Sequence, residues 1–201
     1  MRNIVYVHGA GASPVSFTYV KSQMKKHNSI DFTYDVSDSI DDNVDRLVSV
    51  IPDNAILIGH SFGGILSVSA SNIVENKVHS VITMSTPFGG SETAYRMSFI
   101  MPFSPFINNI STSNSTLKQI SRLGTPVPLL RFITTEGQSA FEPKANDGVV
   151  TVESQEAIND NGLKIYVPLN HFEVLLDKRV TNDINTFITG VDKARRKAAM
   201  A

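Results

Sequence analysis

Short, continuously apolar runs alternate along this chain with longer segments of helical periodicity. Runs rich in valine and isoleucine occur at 4–7 (IVYV), 55–58 (AILI), 81–85 (VITMS), 127–133 (VPLLRFI) and 164–168 (KIYVP), with a weaker one at 31–35 (DFTYD). Runs of this kind predict strands buried on both faces, as in a parallel sheet covered by helices. Between them, Val44, Leu47, Val48 and Ile51 follow i, i+3, i+4, i+7 spacing, with Asp41 or Asp42 placed to cap and Pro52 closing the segment. Residues 62–75 are apolar nearly all round, which predicts a central, buried helix. Residues 171–189 carry Val180, Ile184, Phe187 and Ile188 on one stripe, after Asn170 and Glu173 at capping-box spacing. A shorter helix is expected near 152–159. This alternation predicts an α/β fold, a doubly wound and mostly parallel sheet of about six strands with right-handed crossovers.

The pattern weakens over residues 88–126, which are rich in Gly, Ser, Asn and Pro. A stretch of that length is functional or carries small elements of its own, and it is expected as an irregular cap or flap excursion over one sheet edge. The whole, residues 1–201, is expected to be a single domain. The most apolar long stretch, residues 97–107, is broken by Pro102 and Pro105 and is too short to span a bilayer.

Composition narrows the chemistry. With 41% hydrophobic and 18% charged residues and a net charge of −1, no overall basic field favours nucleic acid or anionic lipid. The absence of cysteine removes disulfides, thiolate metal ligands and a cysteine nucleophile. His8, His27, His60 and His79 show no metal-ligand spacing, so neither a metal nor a cofactor is expected. His27 and His79 are expected at the surface. A first strand beginning near Asn3 leaves no room for a secretion signal, and the expected location is cytoplasmic.

The segment AILIGHSFGGILSVSA runs a buried strand through Gly59-His60-Ser61-Phe62-Gly63 into a helix. This is G-x-S-x-G in the strand, turn and helix context that exposes a serine Oγ on a sharp turn. A serine so placed needs an acid and a histidine later in the chain, each beyond the end of a later strand. Asp147, in NDGVV, and His171, in VPLNHFEVL, occupy such positions, while Glu136 and Glu142 are rival acids in the same loop. Taken alone, Asn146-Asp147-Gly148 also reads as a plain turn, and His171 as a solvated residue at a helix start.

With these motifs the sequence resembles the α/β-hydrolase superfamily, its small lipase and esterase branch in particular. The resemblance runs from the HG turn at 8–9 through GHSFGG and STPFGGS, at 85–91, to NDGVVTVESQ and NHFEVL. It implies a reduced sheet, because the strands that usually precede the HG turn are missing, and an oxyanion hole from the backbone N–H groups of Phe62 and Ala10. The activity it implies is cleavage of a small-molecule or lipid carboxylic ester through an acyl-enzyme. Ser61 would be the nucleophile, His171 the general base and acid, and Asp147 the orienting carboxylate. An acyltransferase or thioesterase would use the same triad. Two remoter readings are a non-catalytic binding module and a dinucleotide-binding oxidoreductase. The latter is suggested by Gly9-x-Gly11 with Asp31 beyond it, but Pro14 stands where the fingerprint has its third glycine. Pro14 is instead a good first residue for a helix that follows Ser13.

Overall fold

A computed structural model describes residues 1–101, 103–139 and 144–200. Six strands form one sheet: β1 (Asn3–Val7), β2 (Asn28–Phe32), β3 (Ala55–His60), β4 (Val78–Met84), β5 (Leu129–Thr134) and β6 (Leu163–Val167). Their order is β2-β1-β3-β4-β5-β6, and every pairing is parallel. The weakest run, expected at 31–35, lies earlier, as β2. As an edge strand it has one neighbour, and four of its five residues lie outside the buried class, which is why its apolar signal is faint.

Side chains alternate across the sheet. Val5, Val7 and Leu57 face α2 (Ile40–Val50), α3 (Phe62–Ile73) and α6 (Ser115–Leu123), whereas Ile4, Tyr6, Ile56 and Ile58 face α1 (Thr18–Gln23) and α8 (Lys178–Ala199). Both faces are therefore covered, as a parallel sheet requires. Strand order reverses between β1 and β3, which leaves a crevice beyond their carboxyl ends, the usual ligand position in open α/β sheets.

Local chemistry shifts several expected boundaries. Ser39, rather than Asp41 or Asp42, caps α2, accepting from the Asp42 N–H at 3.0 Å. Pro14 does open a helical turn after Ser13, although the turn is 3₁₀ over Pro14–Phe17 and runs directly into α1. The Asn170–Glu173 capping box forms in both directions at 2.9 Å, but it closes a 3₁₀ turn over Glu173–Leu175. The long helix starts afresh at Lys178, capped by Asp177, so His171 is not in its first turn. Residues 88–126 hold α4 (Glu92–Ser98), α5 (Pro105–Ile110) and α6. This segment connects the neighbouring strands β4 and β5, and Leu117 and Ile120 of α6 join the core beside α3. The expected 152–159 helix is α7 (Val152–Glu156). His79, expected at the surface, is fully buried, with Nε2 3.2 Å from Asp192 Oδ1.

Candidate active site

The crevice is floored by the turn after β3. Ser61 holds φ 52° and ψ −126°, a conformation costly for a residue with a Cβ, and it is the N-cap of α3. The flanking glycines permit this turn by close approach. A Cβ on Gly59 would strike the Gly63 carbonyl and the Gly64 backbone, and one on Gly63 would overlap the Val7 carbonyl oxygen of the neighbouring strand. The turn is thus pressed against β3 on one side and β1 on the other. Beyond β1, Gly9-Ala10-Gly11 makes a tight turn, with the Ala12 N–H on the Gly9 carbonyl at 3.1 Å and Gly11 at φ 69°. Among the described residues the N–H groups of Ala10 and Phe62 donate to no protein acceptor.

Asp147 and His171 meet. His171 Nδ1 lies 2.9 Å from Asp147 Oδ2, and the His171 backbone N–H donates to the Asp147 carbonyl at 3.0 Å. Both side chains are buried. Asp147 is also the turn residue that its flanking Asn and Gly suggest: Oδ1 accepts the N–H groups of Val149 and Val150 at 3.0 and 2.7 Å. Burial works to raise its pKa, and the hydrogen bonds from His171, Thr134 and the Val150 N–H outweigh that, holding the carboxyl below its ordinary range. Of the rival acids, Glu136 is exposed with its backbone N–H on Leu169, and Glu142 lies outside the described residues.

His60 ties the two halves together. Its Nε2–H donates to the His171 carbonyl at 2.8 Å, its ring centroid lies 4.8 Å from that of His171, and Gly9 sits directly over its Nδ1. Burial first, and the neighbouring His171 second, lower its pKa to about 4, so it is a neutral fastener. Among the described residues the Ser61 hydroxyl makes no hydrogen bond, to His171 included.

Sequence reasoning missed the supports behind Asp147. Thr134 Oγ1 donates to Asp147 Oδ2 at 2.6 Å, and Gln155 grips the Thr134 backbone with its Oε1 2.9 Å from the N–H and its Nε2 3.0 Å from the carbonyl. The one available signal was that Thr134 ends a strand at the same sheet edge as the other site residues. Around the site, Phe106 packs edge-on against Phe62 at 6.4 Å, and Phe172 lies 5.2 Å from the His171 ring. Phe99, Ile100 and Phe103 are largely exposed. A cavity of about 430 Å³ opens behind the Asp147 loop, between Gly89–Thr93 and Gly148–Glu153, and among the described residues none of 97–107 lines it. Among the described residues no group of His, Asp and Glu side chains could hold a metal ion, and no helix is long and apolar enough to cross a membrane.

At the carboxyl end of β3 the fold thus holds a strained serine between a parallel strand and a buried helix, and His60 fastens the adjoining turn to a histidine paired with a carboxylate. Residues 4–147 match the model of the Alpha/beta hydrolase family. The chain belongs to that family. The match spans the Gly9 turn, Ser61 and Asp147 and stops short of His171. No curated protein matches the chain. Among solved structures, a mature lipase from Bacillus licheniformis superposes with a TM-score of 0.71 at 17% identity, covering 94% of this chain and 91% of that one. A lipase-esterase related protein from Clostridium acetobutylicum gives 0.67 at 16% identity over 92% and 94% of the two chains. An enol-lactonase from Burkholderia xenovorans gives 0.68 at 12% over 94% and 91%. At these identities the likeness is one of fold, and it agrees with the six-stranded parallel sheet seen here.

Proposed function

We propose that this protein is a serine hydrolase that cleaves carboxylic esters through an acyl-enzyme. The observation that carries the reading is the buried Asp147–His171 pair, fastened through His60 to the strained turn that presents Ser61. His171, with Nδ1–H directed at Asp147, keeps Nε2 free to take the Ser61 proton during attack and to return it to the leaving alcohol. Asp147 fixes that tautomer and stabilises the imidazolium. The N–H groups of Phe62 and Ala10, unspent on protein acceptors, receive the oxyanion; such donors contribute about 2.7–4 kcal/mol each in comparable sites. Phe106 and Phe172 border the site with apolar surface, which suits the acyl portion of a small or lipid ester. The lipase and esterase names of the structural neighbours agree with this reading.

Hydrolysis of p-nitrophenyl esters of graded acyl length tests it, with Ser61→Ala and Asp147→Asn alongside. Wild type is expected to turn over at least one ester and Ser61→Ala none, while Asp147→Asn loses about 10⁴-fold in kcat because the imidazole tautomer is no longer fixed. No turnover by wild type across the series sinks the reading.

A further inference from the structure

Ser85 is a nucleophilic side chain that the proposed chemistry does not use. It directly follows β4 and is fully buried, yet it adopts φ 52°, the left-handed region that residues with a Cβ avoid. Its backbone N–H is held by the Phe132 carbonyl at 3.1 Å, and its Oγ lies 2.9 Å from Thr134 Oγ1. Thr134 has a single hydroxyl proton, and Asp147 Oδ2 is at 2.6 Å, closer than Gln155 Oε1 at 3.1 Å and the acceptor with the greater charge. The Ser85 proton then has the Thr134 oxygen as its acceptor. The result is an ordered chain in which Ser85 donates to Thr134 and Thr134 donates to the Asp147 oxygen that also receives His171 Nδ1–H.

We propose that Ser85 and Thr134 form a buried hydroxyl relay that positions Asp147 and sets how strongly its carboxylate draws on His171. The inference rests on the reading of Ser61, Asp147 and His171 as a triad. Hydroxyls in series polarise one another, so each strengthens the next. Thr134 shares Oδ2 with His171, and the charge that it draws is withheld from the imidazolium; the relay moderates the base as well as orienting the acid. The strained backbone at Ser85 supports this use, since strain of this kind persists where the surroundings over-determine a geometry. Among the described residues the other titratable groups facing the pair are His60, its ring tilted against that of His171, with His8 next to His60, and the Arg131–Asp160 ion pair, which reaches Gln155 through an Arg131 Nη1 bond to its carbonyl at 3.2 Å.

The test uses the full chain with Thr134→Val, Thr134→Ser and Ser85→Ala. Proton NMR reads the His171 Nδ1–H resonance, and the pH profile of kcat/KM on p-nitrophenyl butyrate gives the second readout. In Thr134→Val, His171 keeps Oδ2 with less competition. Its Nδ1–H resonance moves downfield, and the acid limb of kcat/KM moves to higher pH by about one unit, with about 10-fold lower kcat/KM near that limb, the scale of one charge-assisted hydrogen bond. Thr134→Ser restores both, and Ser85→Ala moves both in the same direction by less. A folded Thr134→Val protein with the resonance and limb of wild type overturns the relay, as does failure of Thr134→Ser to restore them. Should Thr134→Val not fold, an unchanged resonance in Ser85→Ala overturns it equally. The resonance needs no turnover, so a relay that responds in a protein without esterase activity would stand while the hydrolytic reading falls.

Discussion

His60 makes a prediction whose size follows from its surroundings. It is 2% exposed, its Nε2–H is committed to the His171 carbonyl, and its buried Nδ1 has no hydrogen-bond partner among the described residues. Protonation would place an N–H under Gly9 with no acceptor, in keeping with a pKa lowered from 6.5 to about 4, chiefly by burial. A group whose folded pKa is lowered in this way binds its proton first in the unfolded chain, so stability falls as pH drops from about 6.5 and levels off below about 4. At 1.36 kcal/mol per unit the loss is about 3 kcal/mol. His60→Gln retains an amide donor for the His171 carbonyl and removes the titration. Urea unfolding at pH 7 and pH 4 measures the effect. Wild type should lose about 3 kcal/mol more than His60→Gln, a difference in midpoint change of about 1.5 M urea for a slope near 2 kcal/mol/M. Buried His79, also lowered to about 4 by burial and then by Arg2, contributes to both proteins and cancels. Equal losses in wild type and His60→Gln would refute the assignment of His60 as a neutral fastener.

Ser61→Gly should abolish ester hydrolysis while raising stability by about 1–2 kcal/mol in urea unfolding, because glycine adopts φ 52° without the Cβ penalty; an equal or lower midpoint contradicts the strain argument. Arg131→Ala should destabilise by about 3–5 kcal/mol, since Asp160, 2.8 Å from the guanidinium with only 3% of its side chain exposed, is left charged and unpaired; a loss near zero would mean that Asp160 finds water or takes up a proton. Asp147, whose pKa lies below the ordinary carboxylate range, contributes stability above that range. The Asp147→Asn variant should therefore lose less stability than wild type between pH 4 and pH 2, read by thermal melting.

The layers of the fold were legible because burial on both faces leaves an unmistakable mark: β1, β3, β4 and β5 are almost wholly buried strands and read as apolar runs. Edge strands have no such constraint, and β2 was misplaced by a few residues. Ser61, Asp147 and His171 were picked out as candidates by local pattern and chain order, which a sequence displays directly. His60, Thr134, Gln155 and Ser85 were not, because each acts through contacts between strands or loops far apart in the chain. Ser85 and Thr134 stand 49 residues apart, and His60 and His171 111 apart. The expected helix start at Asn170 failed for another reason: a capping box satisfies N–H groups wherever the backbone turns, and here the turn is a single 3₁₀ turn.

The most direct test of the central claim is the intact mass of the full chain after exposure to a fluorophosphonate, followed by peptide mapping. One adduct per chain is expected, on Ser61, absent in Ser61→Ala and formed far more slowly in His171→Ala. No adduct on the wild-type protein, or an adduct on another residue that survives Ser61→Ala, would contradict it.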